Sequence, residues 1–469
     1  MIYATFPSMI AVIGGGASGT LVAAQLIRHA QHPIHLLLIE RQEQMSRGIA
    51  YSTTDLHHLL NVPARDMSAY PDQPDHLINW LKRQPDLSEA LRTNLPDTFI
   101  PRYVFGSYLQ SVLEEAQASS TMVELERVHD EVCALSPSAN GLLLQLKSGQ
   151  QRFVHDAVLA LGNFPPRDPL VSTPEFYRSS RYRGNPWGPD MLADVDPDSP
   201  VLIIGTGLTA ADVLVSLEAQ GHRGAITAVS RHGLLPQAHL GYRHPSLHVS
   251  PEEIPTTARG LVHWMRARVE QAMQEGNDWR SAIDMVRPYT QDIWQRLSFE
   301  EKRRFLRHVH TYWDIRRHRV APAIGATIDR LIASGQLQCY AGRVSRYEEQ
   351  EDGVMVIVTL RRTEQEVKIH TGLVINCTGP VGNVRTVGHP LLMNLLEVEM
   401  IRPDPLGLGL DGTADGVLID TEGHPAQHLW TLGSLLKGRL WETIAVPDIR
   451  GQAEKVALNV LRVHERAFA

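Results

Sequence analysis

The sequence predicts an α/β protein built from two similar halves, and three observations carry that prediction. Two glycine-rich turns stand about 190 residues apart, each directly after an apolar run of strand length. The first is Gly14-Gly15-Gly16-Ala17-Ser18-Gly19 after Met9–Ile13, and the second is Gly205-Thr206-Gly207-Leu208-Thr209-Ala210 after Val201–Ile204. Each turn then opens a helix with an apolar face, followed by a second apolar strand. Each half ends in an apolar strand that closes on glycine, Ala157–Gly162 and Leu373–Gly379, which lie 148 and 174 residues beyond Gly14 and Gly205. Two nested Rossmann-like dinucleotide-binding domains, with β-meanders and a helical insertion, are the simplest account.

Composition sets the bounds. A chain of 469 residues is too long for one core, so two or three domains are expected. With 43% hydrophobic and 21% charged residues it reads as an ordinary soluble globular protein. Its 45 basic and 52 acidic residues leave a net charge of −7 with no long basic run, which argues against nucleic acid or an anionic membrane as partner. The first apolar stretch has no basic leader and runs straight into glycines, so it reads as a strand rather than a signal peptide. No segment has the apolar length to span a bilayer, and the expected location is cytoplasmic. Cys133, Cys339 and Cys377 form neither a C-x-x-C redox pair nor a zinc site. The histidines, including His57-His58 and His308/His310, lack metal-site spacing, so no metal is expected.

In the first unit, strand 9–13, the helix from Gly19 to Arg28 and strand 34–39 end at Glu40, 21 residues past Gly19. Gly14, Gly16 and Gly19 let the backbone approach a pyrophosphate, with Ser18 beside it, and the helix N-terminus favours its charge. Glu40 accepts from ribose hydroxyls and repels a 2′-phosphate, so this site suits FAD or NAD and not NADP. Residues 123–161 read as a β-meander broken at Gly141 and Gly149, and Pro165, Pro166, Pro169 and Pro174 mark a boundary.

The second unit, 200–230, lacks the acid. Ser230 and Arg231 stand in its place, a hydroxyl and a guanidinium that accommodate a 2′-phosphate, so Gly205, Gly207, Leu208 and Thr209 are expected to hold NADPH. Residues 255–335 look helical, 337–369 form another meander, and Cys377 in the closing strand is packing. The segment Trp313–Arg319 either clamps a phosphate or carboxylate or forms a solvated basic face; the second is favoured, because charge runs usually face solvent. The expected FAD-binding domain is discontinuous, formed by 1–170 and 371–469. The expected NADPH-binding domain, 198–370, is inserted between those segments and carries the helical insertion at about 255–335.

These motifs, with the C-terminal Leu429-Trp430-Thr431-Leu432-Gly433-Ser434, resemble the FAD/NAD(P)-binding oxidoreductases of the two-dinucleotide-domain type. More narrowly, five segments resemble the bacterial FAD/NAD(P)-binding family related to class B, N-hydroxylase-like flavin monooxygenases. They are Arg47-Gly48-Ile49-Ala50-Tyr51, Leu59–Ala64, Asn185-Pro186-Trp187, Trp313–Pro322 and Lys437–Glu442. The resemblance implies that Gly433 and Ser434 contact FAD, where relatives often carry Asp at the second position. It adds Arg47, Gly162 and Gly379 to the cofactor-binding set and directs a helix from about Pro447 at the isoalloxazine. Asn61, Trp441 and Glu442 become flavin-adjacent candidates, although Trp441 as core and Glu442 as a satisfied ion pair is an equal reading.

The linker has Phe176-Tyr177 and Gly184–Trp187 but no histidine in register with the fingerprint of the ketone-oxygenating enzymes. Asp156 fits the N-hydroxylase pattern, whereas Asn163 stands where an aromatic is usual. The implied activity is transfer of hydride from NADPH to flavin N5, then oxygenation of a small molecule at nitrogen by a C4a-hydroperoxide. The implied partners are that substrate and oxygen. Two other classes stay open: a flavin reductase or oxidase without oxygen insertion, and a non-catalytic FAD-binding sensor, against which the second fingerprint speaks.

Overall fold

The computed structural model describes residues 8–85, 89–188, 191–240 and 249–468. Their strands form three sheets. The first contains β1 (Ser8–Ile13), β2 (Ile34–Glu40), β3 (Val123–His129), β7 (Asp156–Leu159), β15 (Val417–Ile419) and β16 (Pro425–Thr431), in the order β15-β16-β7-β1-β2-β3. All its pairs are parallel except β15–β16. Leu36, Leu37 and Leu38 are all fully buried, because helices or other layers cover both faces of a parallel sheet. The helix Ala17–His29 buries every residue from Gly19 to Ile27, packed against the helices Arg102–Ser119 and Val446–Phe468.

The second sheet contains β8 (Tyr182–Arg183), β9 (Val201–Ile204), β10 (Ile226–Ser230), β11 (Leu337–Gln350), β12 (Gly353–Leu360), β13 (Glu366–Thr371) and β14 (Leu373–Asn376). Its order is β13-β12-β11-β10-β9-β14-β8. Three expected boundaries shift here. Strand β14 pairs with β9 and β8, so it belongs to the second sheet and not to the 371–469 portion, and β8 joins that sheet from before residue 198. The helix Pro322–Ala333 packs on the helix Leu208–Ala219 as the crossover between β10 and β11, so the insertion proper ends before it.

The 123–161 stretch is also divided differently from a single meander. β4 (Val132–Ser138), β5 (Gly141–Leu146) and β6 (Gln151–Val154) form the small third sheet, while β3 and β7 flank it in the first sheet. The chain returns at β16 to complete that first sheet. Trp430 Nε1 donates to the buried Asp156 carboxylate at 2.9 Å, and Thr431 Oγ1 donates to Leu159 O at 2.8 Å. Among the described residues no helix is long and apolar enough to cross a membrane.

Candidate dinucleotide-binding cleft

Each element of the first fingerprint has a mechanical reason. Gly14 has φ +105°, and a Cβ there would lie 2.3 Å from Ala160 O. A Cβ on Gly19 would lie 1.8 Å from Gly14 O, so only glycine lets the helix close on its strand. The helix starts at Gly16 without a side-chain cap, leaving its first amides to an anionic ligand. Glu40 stands at the end of β2, where Gly15 N donates to Oε2 at 2.8 Å and Gln42 N donates to Oε1 at 2.9 Å.

These residues open onto a cleft with about 1680 Å³ of empty space, open solvent included. Gly14, Gly16, Ser18, Glu40 and Arg47 line one side; Gly162, Asn163 and Ser434 line another. Thr209 and Gly379 of the second unit reach the same cleft, as do Asn185 and Trp187 of the linker. The turn after β16 closes the arrangement: Ser434 Oγ donates to Gly162 O at 2.6 Å, and Gly433 N donates to Gln452 Oε1 at 2.9 Å. Gly433 has φ +72°, and its Cβ would lie 3.5 Å from Ser18 Oγ. Val446 and Ile449, in the first turn of the last helix, line the cleft, so that helix directs its positive end there.

The second fingerprint repeats the first glycine closely. Gly205 has φ +106°, with a would-be Cβ 2.3 Å from Cys377 O. Gly207 starts the next helix without a side-chain cap, and a Cβ there would meet open space. Ser230 is turned inward: its Oγ accepts from Thr206 Oγ1 at 2.8 Å and from Gly233 N at 3.0 Å. Arg231 is exposed and has no hydrogen-bond or ion-pair partner among the described residues. Of the two residues expected at a 2′-phosphate, the guanidinium is therefore the free one.

The three flavin-adjacent candidates fare differently. Asn61 is not among the residues that line this cleft, and His239 Nε2 donates to its carbonyl at 3.1 Å. Burial pushes that imidazole down to about 3, so it stays neutral. Trp441 is buried and stacked on Trp294, with centroids 4.7 Å apart and planes at 24°. Its φ of +67° is strained for a bulky side chain, on the order of 1–3 kcal/mol, and that packing holds it.

Glu442 is 4% exposed, with Arg317 Nη2 at 3.3 Å from Oε2 and Trp313 Nε1 donating to Oε1 at 3.2 Å. Burial alone would raise its carboxyl, but Arg317, His318 and the indole N–H outweigh that and hold it below the usual range. The solvated reading of Trp313–Arg319 is corrected by the same contacts. Arg316 is exposed, whereas Arg317 and Arg319 are buried against Glu442 and Asp284, so the insertion's cations neutralise the protein's own carboxylates.

A second cavity, about 1440 Å³ of empty space with open solvent included, is lined in part by the segment Glu442–Gln452. Arg287 and Asp448 line it. Burial pushes the Asp448 carboxyl up to about 6, against the opposing pull of Arg287 and Arg317. Among the described residues no group of three or more His, Cys, Asp or Glu side chains is placed to hold a metal ion.

Comparison with known proteins agrees with this geometry. Residues 11–164 match the FAD-NAD(P)-binding family model. No curated protein matches in sequence. Among solved structures, the reduced form of ornithine hydroxylase from Pseudomonas aeruginosa aligns with a TM-score of 0.65 at 17% identity, covering 98% of this chain and 99% of that one. L-lysine 6-monooxygenase from Pseudomonas syringae aligns at 0.67 and 15% identity, covering 97% and 99%. The ornithine N-hydroxylase of Kutzneria sp. 744, a structure with reduced FAD, NADP+ and L-ornithine, aligns at 0.63 and 14% identity, covering 98% and 100%. The strand, glycines and acid of the first unit thus lie in the stretch, residues 11–164, that matches the FAD-NAD(P)-binding model, and the chain as a whole shares the fold of these three structures.

Proposed function

We propose that the protein is an NADPH-dependent flavin monooxygenase that oxygenates a small molecule at nitrogen. One observation carries the reading: residues of both fingerprint units, Gly14 and Gly16 from one and Thr209 and Gly379 from the other, line a single cleft. Two dinucleotides held by those turns meet there, which is what hydride transfer between a nicotinamide and a flavin needs. The donor set fits FAD in the first site: uncapped helix amides for the pyrophosphate, Glu40 for the ribose, and the last helix's positive end for charge on the reduced ring. The free Arg231 fits the 2′-phosphate of NADPH in the second.

When bound, the two cofactors supply the redox chemistry; the chain orients them and covers the flavin. The likeness to N-hydroxylating enzymes supports oxygenation at nitrogen as an analogy of fold. The test is rapid mixing of the NADPH-reduced protein with oxygenated buffer. The expected result is a long-lived near-ultraviolet absorption band before oxidised flavin returns. Direct return of oxidised flavin with stoichiometric peroxide replaces the proposal by a reductase or oxidase, and failure of NADPH to reduce the flavin replaces it by a binding protein.

A further inference from the structure

The two nucleotide-binding units are joined by a contact that neither fingerprint requires. Asp212 lies five residues beyond Gly207, on the helix that the second fingerprint opens. Its carboxylate meets Arg102, the first residue of a helix of the first unit: Nη2 donates to Oδ1 at 3.0 Å, and Nη1 lies 2.9 Å from Oδ2 as an ion pair. The two side chains are 12% and 5% exposed. Arg102 is itself fixed, because its Nε donates to Leu59 O at 3.1 Å. Its guanidinium also lies over the Trp187 ring, 5.7 Å from the centroid, and Trp187 lines the cleft. One turn further along the second unit's helix, Ser216 Oγ meets His58 Nε2 at 2.9 Å and donates to Asp55. His58 is in turn held by Thr53 Oγ1 at 2.8 Å.

A buried ion pair contributes little net stability, because removing both charges from water costs about what their attraction returns. What a planar guanidinium held against a buried carboxylate supplies is geometry, since its fork accepts only a narrow range of distance and angle. Here the geometry joins the helix behind the second fingerprint to the element whose arginine covers Trp187 at the cleft. A displacement of about 1 Å between reacting groups is enough to slow a reaction about a hundredfold.

We propose that Arg102 and Asp212 are positioning residues that hold the NADPH-binding unit in one orientation against the flavin cleft, and that the Asp55–Ser216–His58 contact is the second point of the same clamp. The inference rests on the reading of the two units as FAD and NADPH sites.

The test compares flavin reduction by NADPH in the wild-type protein, Arg102→Lys and Asp212→Asn by stopped-flow absorbance. In both variants the limiting reduction rate at saturating NADPH is expected to fall about 10- to 100-fold, with the Kd for NADPH changed less than about threefold. After chemical reduction, the reaction of each variant with oxygen is expected to proceed at the wild-type rate, which a general loss of structure would not allow. Lys retains the charge without the fork, so a wild-type reduction rate in Arg102→Lys overturns the geometric role. Asp212→Asn keeps the volume and one acceptor, so loss of bound flavin from that variant shows that the pair holds the fold and not the alignment, and overturns it too. Should NADPH fail to reduce even the wild-type protein, the fault lies with the functional reading beneath the proposal.

Discussion

The two fingerprints share one backbone solution and differ in everything around it. Gly14 and Gly205 have φ values of +105° and +106°, and each is pressed against a carbonyl of its own closing strand with room for no Cβ. Around the first, Gly16 lies against Gly48, Gly19 closes on Gly14 O, and Gly433 comes up to Ser18, so the turn is walled in by segments from three regions of the chain. Around the second, Gly207 faces open space, Arg231 is exposed, and Ala210 replaces the third glycine, its methyl fully buried. An enclosed site suits a ligand that stays between turnovers, and an open one suits a ligand that must leave after each. On that reading the same turn serves a resident cofactor in one unit and an exchanging cosubstrate in the other.

The sharpest way to break this comparison is at the shared glycines. Gly14→Ala forces a Cβ to within 2.3 Å of Ala160 O, so the purified protein is expected to carry no flavin by visible absorbance. Gly205→Ala has the same local geometry but is expected to retain flavin and to lose reduction by NADPH. Loss of flavin from both would mean that the units do not hold separate ligands. Next in size, Glu40→Ala is expected to weaken FAD by about 10- to 100-fold, the worth of charge-assisted hydrogen bonds at about 1.5–3 kcal/mol, while the Kd for NADPH is unchanged.

A smaller effect is expected at Asp448, in the first turn of the helix whose N-terminus faces the candidate dinucleotide cleft. Its folded pKa is raised to about 6, so the folded state binds its proton more tightly than the unfolded chain. The associated stability is fully present below about pH 3.8 and is lost as pH rises through about 6. Asp448→Asn removes that loss, and urea unfolding is expected to show it gaining on the order of 2 kcal/mol over the wild type between about pH 4 and pH 7. A pH-independent difference would place the carboxyl in solvent. Smallest is Arg231→Ala, expected to weaken NADPH about tenfold and NADH barely at all. Equal losses for both would remove the 2′-phosphate from the second site.

What is legible in the sequence is local. The strand–glycine–helix units and the acid at Glu40 each lie within one βαβ repeat, where spacing fixes geometry. The features that escape it are long-range. Arg102 and Asp212 are 110 residues apart and carry no pattern that announces their pairing. The basic run Trp313–Arg319 reads as a solvated face until the insertion folds back onto Glu442, a partner more than a hundred residues later. Ser230 reads by its chemistry as a ligand residue, yet Gly233 and Thr206 use its oxygen to build the turn. Strand β14 shows the same limit for boundaries: a chain that leaves one sheet for another does so without a change of composition.

The way β16 completes the first sheet also sets an order of events at the ribosome. Strands β8 to β14 can pair as soon as residue 376 has emerged, because all of them lie within one contiguous stretch. The first sheet cannot: β7 waits for Leu429–Thr431, and Gly433 and the last helix complete its cleft later still. The nascent first unit thus remains an open-edged sheet, with one side of β7 unpaired, while its nested neighbour is already folded. Completion of the cleft becomes a late step, and the window of vulnerability to edge-to-edge aggregation is as long as the synthesis of everything between β7 and β16.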